Sequence, residues 1–333
     1  MLDFSRSYWD YLTYPNDIKR LYLIRRTSNK LTSDLSLQTL WGKNFSSTQM
    51  IKFFIVGSIL IRYDGLRIVS TPKDNDVMFQ GKTDQDWEFY GKNVPYYGVV
   101  TWDKFKLSSL DDGAKQDFFK TGEEYINTTI EFIKENFSRN FYPKRALDFG
   151  CGVGRLAIPM TQSCESVTGI DVSISMLEKG RENCREYGIK NLSFVQGDDA
   201  LSKVSGTYDF IHSYIVFQHI PRQRGEKIAK RLIDLLEEDG IGALHFTYFR
   251  NYDRLSILKY HAYKSVPLLW NLKNLFKSSS TGPMMQMNLY DLNNLIRLLQ
   301  ENGCHRPLIR FTNHGEGTGG VILYFQKHKL PML

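Results

Sequence analysis

From Arg145 onward, short apolar runs alternate with longer segments in which apolar residues recur at helical spacing. Each apolar run predicts a strand, and each longer segment predicts a helix. The alternation indicates an α/β fold built of βαβ units, with a mostly parallel sheet, right-handed crossovers and helices on both faces. We place the strands at residues 145–149, 166–170, 192–195, 208–213, 241–246, about 308–312 and about 320–326, and the clearest later helices at about 222–237 and 289–301.

The chain before this region has a less regular pattern. We therefore divide the sequence into an N-terminal α+β extension (1–142) and a main domain (143–333). Asp64-Gly65 lies between two β-rich runs, which predicts a hairpin. Residues 73–92 are polar and are expected to form a surface loop. Apolar residues at helical spacing predict a helix over 123–137 that leads into the main domain.

The first strand of the main domain runs directly into a glycine-rich turn, and a helical segment follows at once. Gly150, Gly152 and Gly154 alternate with other residues, so the backbone can approach a ligand that a Cβ atom would push away. The helix start offers unpaired N–H groups, which suit an anion or a ribose hydroxyl. A dinucleotide fingerprint, G-x-G-x-x-G, would need glycine where the chain has Arg155. A nicotinamide-dependent dehydrogenase is therefore disfavoured.

The turn reads G-x-G-x-G, with Asp148 two residues ahead of its first glycine. This combination resembles the first motif of the class I S-adenosylmethionine-dependent methyltransferases, of the bacterial small-molecule type. The resemblance covers residues 145–326, where acidic residues follow the later strands at consistent spacing. It implies a Rossmann-like sheet of seven strands with an antiparallel last strand. It also implies S-adenosyl-L-methionine as the cofactor and S-adenosyl-L-homocysteine as its product.

The carboxyl ends of the strands supply the cofactor site that the resemblance implies. Asp171 would bind the ribose, since a carboxylate accepts both protons of a diol; the alternative is an N-cap for the helix that opens at Ser173. Asp198 or Asp199 would bind the adenine amino group, and we prefer Asp198. Backbone carbonyls near Ser213 would complete the methionine ammonium site. The full set implied for the cofactor is Asp148, Gly150, Cys151, Gly152, Gly154, Asp171, Val172, Met176, Asp198, Asp199, Ala200, Ser213 and Tyr214.

The segment after the fourth strand lies where the transferred methyl group usually points in this family. His219 is the candidate catalytic residue, because imidazole titrates near neutrality and can accept a proton; a structural bond to the next loop is the alternative. His212 and His245 fall within strands and are expected to be satisfied interior residues. Methyl transfer needs mainly positioning, so we expect neither a catalytic triad nor a metal site. The candidate substrate residues are Tyr96, Tyr97, Gln218, Tyr248 and Arg250.

Two aromatic-rich segments have more than one interpretation. Residues 94–102 either pack the N-terminal extension on the main domain or form a lid over the cofactor or substrate. Residues 250–287 form an insert after the fifth strand, and lysine and arginine alternate with aromatic residues over 250–277. The insert is a cap helix over the active site, a surface for an anionic substrate such as a phosphorylated or nucleotide-linked sugar, or a helix in contact with a membrane surface.

The resemblance implies an enzyme that transfers a methyl group to oxygen or nitrogen of a small molecule or of a sugar or glycan precursor. The extension and the insert would close the pocket, which favours small acceptors over polymers. Two alternatives stay open: a nucleic-acid or protein methyltransferase that uses the basic insert, and a non-catalytic cofactor-binding module of the same fold. The sequence has no N/D-P-P-Y/F tetrapeptide, which is typical of adenine and glutamine-amide methylation.

Composition and charge add few constraints. The 333 residues are 42% hydrophobic and 24% charged, as in ordinary globular proteins. The net charge of +7 is a moderate excess, from which we expect no nucleic-acid partner. The four cysteines have no metal-ligand spacing, and the longest apolar run (53–61) is too short to span a bilayer. With no signal-peptide pattern, a cytoplasmic protein is expected; the oligomeric state is left open.

Overall fold

The computed structural model describes residues 82–251, 282–315 and 317–328, together with strands β1 (Phe54–Ile55) and β2 (Leu60–Ile61). The chain divides into two compact units, residues 1–73 and residues 74–333. In the first unit, β1 and β2 pair antiparallel. The hairpin turn predicted at Asp64-Gly65 lies outside the described residues, as do residues 252–281 of the basic-aromatic insert.

The second unit contains one sheet of seven strands. The strands are β3 (Arg145–Phe149), β4 (Ser166–Asp171), β5 (Leu192–Gln196), β6 (Tyr208–Ser213), β7 (Leu236–Arg250), β8 (Leu308–Asn313) and β9 (Thr318–Gln326). Their order is β5-β4-β3-β6-β7-β9-β8. β3 to β7 pair parallel, and β9 is antiparallel to β7 and β8. The α/β fold with a mostly parallel seven-stranded sheet is confirmed.

The helices of the second unit follow the strands or precede the sheet. They are α1 (Lys82–Asn93), α2 (Pro95–Val99), α3 (Asp112–Asn136), α4 (Ala157–Met160), α5 (Ile174–Glu186), α6 (Arg222–Leu235) and α7 (Leu292–Glu301), with 3-10 turns at Asp103–Phe105 and Phe217–His219. Side-chain caps explain three of the starts, because Asp111, Ser173 and Asp291 each accept a bond from a backbone N–H in the first turn. Among the described residues, no helix is both long enough and apolar enough to cross a membrane.

Helix α1 corrects the prediction of a surface loop over residues 73–92. Its sequence is polar, so it carries only a weak helical pattern, and contacts with α5 hold it in place. The Glu88 carboxylate accepts hydrogen bonds from Ser173 Oγ at 2.8 Å and Ser175 Oγ at 2.7 Å. Gly91 lies so close to Ser173 that a Cβ atom there would overlap it. Local propensity is overridden here by tertiary contact.

The boundary between α6 and β7 also differs from the prediction. The helix ends at Leu235 and the strand begins at Leu236, whereas the sequence predicts a helix to about residue 237 and a strand from residue 241. Asp239 has a φ of 63°, and the pairing of β6 with β7 shifts register at the same place. The Asp-Gly pair therefore forms an irregularity inside a long strand.

The sheet has a hydrophobic core on each face. Alternate residues of one strand contribute to opposite cores: Leu147 and Phe149 pack with α6 and α7, and Ala146 packs with α3 and α4. This alternation follows from the two-residue repeat of a strand. Burial of the Leu147 or Phe149 side chain contributes roughly 1.5–3 kcal/mol. The expectation of helices on both faces is confirmed.

A third cluster joins the segment before the sheet to α5. Tyr90, Tyr96, Phe105 and Phe118 are buried together with Met176 of α5. Their rings meet mostly edge to face, with centroids of Tyr96 and Phe118 5.1 Å apart. The aromatic residues around 94–105 therefore pack this segment onto the sheet domain.

The order of the strands places a crevice at one edge of the sheet. β4 and β5 lie on one side of β3, and β6 and β7 lie on the other. Open α/β sheets bind ligands at the carboxyl ends of the strands where the order reverses in this way. The glycine turn after β3 lies at that point.

Candidate cofactor and acceptor cleft

The glycine turn lies across the carboxyl end of β4. Gly150 N and Cys151 N both donate to the Ile170 carbonyl, at 2.7 and 2.9 Å. The φ angles of Gly150 and Gly152 are 75° and 53°, a region that favours glycine. A Cβ atom at Gly150 would overlap Val216, and one at Gly152 would lie 2.8 Å from a methyl group of Val99. The turn therefore packs closely between Val99 and Val216.

Asp171 ties the turn to the start of α5. One carboxylate oxygen accepts from Gly152 N at 3.0 Å, and the other accepts from Ser173 N at 2.9 Å. The N-cap of α5 is Ser173 itself, so the alternative role for Asp171 is not the one observed. Burial raises the pKa of Asp171 to about 6, against the lowering effect of its two backbone bonds. Each oxygen retains a lone pair for a ligand hydroxyl.

The Asp148 carboxylate is held in place by His212, which in turn contacts Tyr125. His212 Nδ1 donates to Asp148 Oδ1 at 2.8 Å, and Tyr125 Oη lies 3.3 Å from His212 Nε2. Asp148 and His212 are both almost fully buried. His212 is a satisfied interior residue, as expected, and it holds the carboxylate at the end of β3 beside the cleft.

Arg155 is a site residue that the sequence reasoning missed. Its side chain lines the cleft, and Nη1 donates to Thr121 Oγ1 at 3.3 Å. Among the described residues its buried Nε has no hydrogen-bond partner. Burial lowers the pKa of this guanidinium, while Tyr214, Tyr125 and Asp148 favour its charged form. The sequence signal was present, since a cation directly after a glycine turn suits an anionic ligand group, but Arg155 was used only to exclude a dinucleotide site.

The two candidate adenine residues have different partners. Asp199 faces Arg224, whose Nε donates to both carboxylate oxygens at 2.6 and 2.7 Å. Arg224 Nη2 also donates to both oxygens of Asp84, at 2.9 Å each. Asp198 accepts from Ser202 N at 2.9 Å and from the Ser202 hydroxyl, and it is exposed. Arg224 thus joins α1, α6 and the loop after β5 in one ionic clamp.

A cleft of about 710 Å³ runs along these groups. The structure brings together the following predicted residues on its walls: Asp148, Gly150, Cys151, Gly152, Asp171, Val172, Met176, Asp198, Asp199, Tyr214, Gln218, His219 and Arg250. The walls also include Thr83, Asp84 and Trp87 of α1, and Arg155, Arg224 and His314. Helix α1 and the segment after α2 thus form one wall of the cleft.

Other predicted residues do not line this cleft. Gly154 and Ser213 are buried behind the turn, with Ser213 Oγ donating to the Phe149 carbonyl at 3.0 Å. Ala200 is exposed, and its carbonyl accepts from Arg231. None of these three residues lines the cleft, and the contact of the cofactor with backbone carbonyls near Ser213 stays a prediction.

Three predicted substrate tyrosines also lie elsewhere. Tyr96 is 2% exposed, and its hydroxyl donates to Asn183 Oδ1 at 2.7 Å inside the third core cluster. The Lys106 ammonium lies 5.4 Å from the centre of the Tyr97 ring. Tyr248 packs beside Phe311 and against the core cluster that contains Leu244 and Phe246. The periodicity of an aromatic segment does not tell which rings face a cleft and which face a core.

His219 is held by contacts on both ring nitrogens. Nδ1 donates to the Gln286 carbonyl at 2.7 Å, and the Gln218 amide lies 3.1 Å from Nε2. Thr247 Oγ1 in turn donates to Gln218 Oε1 at 2.8 Å. Burial lowers the pKa of His219 to about 4. The geometry matches the structural alternative, a bond to the next loop, and a base of this pKa accepts a proton weakly.

His314, which lines the cleft, is in contact with a second histidine, His245. His245 Nε2 lies 2.8 Å from His314 Nε2 and 3.0 Å from Thr312 Oγ1. His245 is interior, as expected, but it is not satisfied, because its buried Nδ1 has no partner among the described residues. Arg250 and Thr318 also line the cleft.

One residue of the cleft wall has a strained backbone. Ile215, directly after Tyr214, has a φ of 58°, which a β-branched residue rarely adopts. Such strain costs of order 1–3 kcal/mol and persists only where the surroundings enforce it. It lies where the loop after β6 turns along the cleft.

Comparison with known proteins shows similarity to methyltransferases over part of the chain. Residues 146–240 match the model of a family described as a methyltransferase domain. Over 105 residues the chain is 35% identical to a ubiquinone biosynthesis O-methyltransferase of Vibrio parahaemolyticus, covering 31% of this chain and 44% of that protein. Over 52 residues it is 46% identical to a 23S rRNA (uracil(1939)-C(5))-methyltransferase of Marinomonas posidonica, covering 16% and 12%.

Among solved structures, the chain is similar to a magnesium protoporphyrin IX methyltransferase from Synechocystis with bound S-adenosylhomocysteine. The TM-score is 0.49 and the sequence identity is 19%. The match covers 74% of this chain and 99% of that one. The chain spans less than half the length of the two curated relatives above.

The match over residues 146–240 agrees with the predicted resemblance to the Rossmann-like class I S-adenosylmethionine-dependent methyltransferases. The glycine motif implies S-adenosyl-L-methionine as the cofactor of such a domain.

Proposed function

We propose that this chain transfers a methyl group from S-adenosylmethionine to oxygen or nitrogen of a small molecule or of a sugar or glycan precursor. One observation carries the proposal. A single cleft holds a glycine turn, a carboxylate bound to that turn and a buried guanidinium, which are Gly152, Asp171 and Arg155. Asp171 suits the ribose of S-adenosylmethionine, and Arg155 suits the carboxylate at its amino-acid end.

The chain offers a partner for each part of the cofactor. Asp171 would accept the ribose hydroxyls, since a carboxylate pairs with a diol as no neutral side chain does. Arg155 would pair with the carboxylate, the one anionic group of the cofactor. Val172 and Met176 would flank the adenosine. Asp198 would bind the adenine amino group, because both oxygens of Asp199 already face Arg224.

The contribution of the protein to the reaction is positioning. S-adenosylmethionine supplies a methyl group on a sulfonium, which is already a strong electrophile. The cleft walls exclude water and hold the acceptor atom in line, and such positioning supplies roughly 7–11 kcal/mol. Gln218 and His219 line the acceptor side, with His219 neutral and bonded to the loop that bears Gln286. We propose that His219 positions this wall.

The dimensions of the cleft support a small acceptor. Its volume of about 710 Å³ lies in the range of small-molecule sites. Part of this volume is needed for the cofactor, and α1 closes one side of the cleft through the clamp at Arg224.

A cytoplasmic enzyme is in keeping with four cysteines that are free and buried.

A second candidate is methylation of RNA. The similarity to the Marinomonas rRNA methyltransferase favours it, although it covers 12% of that protein. A polyanion would need a basic footprint, and its binding would weaken steeply with salt. Binding of ribosomal RNA that falls between 50 and 200 mM salt, with methyl transfer to it, would support this candidate over the first.

Calorimetry with S-adenosylhomocysteine tests the proposal. We expect one site per full-length chain, and absence of binding by the correctly folded wild type would refute it. A panel of phenols, amines and nucleotide sugars, followed by formation of S-adenosylhomocysteine, then defines the acceptor. Binding without turnover on any acceptor would instead favour a non-catalytic module.

A further inference from the structure

Three polar side chains form a chain of hydrogen bonds that leads from helix α3 to the cleft. His212 Nδ1 donates to Asp148 Oδ1 at 2.8 Å, and the Tyr125 hydroxyl lies 3.3 Å from His212 Nε2. His212 is fully buried, and Asp148 is 2% exposed. A buried polar network costs more than an apolar core unless its members are satisfied, so its position beside the cleft indicates a role in the site.

The sheet places Asp148 and His212 side by side. β3 and β6 pair parallel, with the Asp148 Cα opposite the His212 Cα. Ala146 and Phe210, two residues earlier on each strand, lie in the core cluster against which Tyr125 of α3 packs. Because alternate residues of a strand share a face, Asp148 and His212 lie on the face that α3 covers. Tyr125 contacts His212 from that side.

Each proton of this chain has a direction. An ionised carboxylate can only accept, so the proton between Asp148 and His212 is carried by Nδ1. In a neutral imidazole Nε2 is then the acceptor, and the Tyr125 hydroxyl donates to it. Desolvation raises the pKa of Tyr125 well above its ordinary value, which keeps the proton on that hydroxyl. Donation therefore runs from Tyr125 to His212 to Asp148, and the negative charge is on Asp148.

This chain uses only one oxygen of Asp148. Oδ1 accepts from His212, whereas Oδ2 has no hydrogen-bond partner among the described residues and is still accessible. Asp148 lines the cleft, so the accessible oxygen is open to a ligand there. The hydrogen bond to His212 fixes the plane of the carboxylate and with it the place of Oδ2.

Asp148 and Arg155 suit the two charged groups of an amino acid. Both line the cleft, and Asp148 favours the charged form of Arg155, so the two charges act on each other. In the part of the chain that the structure describes, no ion pair joins them, since Asp148 Oδ1 faces His212 and Arg155 Nη1 faces Thr121. An ammonium and a carboxylate on one carbon fit between an anion and a cation that do not neutralise each other.

We propose that Tyr125 and His212 are positioning residues for the amino-acid end of the cofactor. They orient the Asp148 carboxylate so that Oδ2 accepts from the ammonium group of S-adenosylmethionine, while Arg155 binds the adjacent carboxylate. Neither Tyr125 nor His212 lines the cleft, so both act through Asp148. The inference rests on the proposed function, since it assigns how the same site recognises its ligand.

Tyr125→Phe tests the chain, because it removes one hydroxyl and keeps the ring, whose centroid lies 4.1 Å from that of Tyr214. Calorimetry on the full chain compares S-adenosylhomocysteine with its deamino analogue, which lacks only the ammonium group. We expect the wild type to bind S-adenosylhomocysteine about tenfold more tightly, as for a hydrogen bond between charged groups. Tyr125→Phe should reduce this preference about three- to tenfold by weakening the binding of S-adenosylhomocysteine alone.

Tyr142→Phe is the matched control, because Tyr142 is exposed and lies outside the cleft lining. It should leave both affinities unchanged. Equal losses for the two ligands in Tyr125→Phe would show that Tyr125 acts only on the fold. Unchanged affinities would show that the chain does not position Asp148. Either result overturns the inference.

The direction of the protons is tested on the complex of the full chain with S-adenosylhomocysteine. Histidine labelled with ¹⁵N gives different long-range couplings for the two neutral forms, and His212→Asn identifies the signals by their loss. We expect protonated Nδ1 and bare Nε2 for His212 at pH 7.5. A proton on Nε2 would mean that Tyr125 does not donate to His212, which contradicts the inference.

The comparison of ligands separates this inference from the proposed function. If the wild type binds S-adenosylhomocysteine and its deamino analogue equally well, Asp148 does not receive the ammonium group, and the inference fails while the proposed function stands. If S-adenosylhomocysteine itself does not bind, the proposed function fails first.

Discussion

At the scale of single residues, Asp171 has the most consequential environment. It is a half-buried carboxylate whose pKa is raised to about 6 by desolvation, although it accepts two backbone hydrogen bonds. A group in this state is anionic at neutral pH and loses its charge under mild acid. Its bond to the ribose would therefore depend on pH in a range where few other carboxylates titrate.

We predict that the affinity for S-adenosylhomocysteine falls below pH 6. Protonation of Asp171 removes the charge that strengthens its bonds to the ribose, so binding favours the anionic form. Asp171→Asn should weaken binding about tenfold or more at pH 7.5 and abolish the dependence near pH 6. Calorimetry from pH 5 to 8 measures both effects. Asp117→Asn, an exposed position on α3, is the control, and an unchanged pH profile in Asp171→Asn would disprove the assignment.

Arg155 supports a second prediction at this scale. Replacement by Met removes the buried guanidinium that we assign to the cofactor carboxylate. Affinity for S-adenosylhomocysteine should fall about 10- to 100-fold, the range of a hydrogen bond to a charged group. Affinity for methylthioadenosine, which lacks the amino-acid end, should change little. Exposed Arg139→Met serves as the control; equal losses for both ligands would show that Arg155 acts only on the fold.

At the scale of elements, the sequence predicts what local pattern specifies. The strands, the glycine turn and the acids that follow the strands are contiguous features, so β3, β4 and β6 were placed within a residue. Helix α1 was missed, because its stability comes from partners such as Ser173, distant in sequence. Aromatic spacing likewise did not reveal that Tyr96 faces a core. Contacts between distant residues have no local signature.

The ionic clamp of Arg224 with Asp84 and Asp199 joins α1, α6 and the loop after β5. We predict that this clamp slows the release of a bound ligand. Arg224→Lys keeps the charge but cannot bind two carboxylates through a planar fork. The cleft walls at Asp84 and Asp199 would separate more easily, so S-adenosylhomocysteine should dissociate about three- to tenfold faster. Stopped-flow displacement measures the rate. Arg231→Lys on the same helix is the control, and an unchanged rate in Arg224→Lys would show that the clamp does not retain the ligand.

At the scale of the whole molecule, buried histidines affect stability. The pKa of His219 is lowered to about 4 and that of His245 is lowered well below 6.5, both by burial. Below pH 6.5 the unfolded chain binds protons that the folded chain does not. The free energy of unfolding therefore decreases as the pH is lowered. Asp171 acts in the opposite sense below pH 6, since its folded pKa is raised.

We therefore predict a net loss in the free energy of unfolding between pH 7.5 and 5.5, measured in urea. His219→Asn retains a donor for the Gln286 carbonyl but does not titrate. Its loss over the same interval should be smaller by about 1 kcal/mol. Parallel curves for wild type and His219→Asn would show that this histidine is not neutral in the folded state.

The cleft is assembled from residues as far apart as Thr83 and Thr318. During synthesis on the ribosome, the first wall emerges long before Arg224 and the β8–β9 turn that complete it. A nascent or prematurely terminated chain thus lacks the acceptor end even when its glycine turn has formed. Only a polypeptide that already includes the β8–β9 turn gains the full stabilisation that a ligand bound in this cleft supplies.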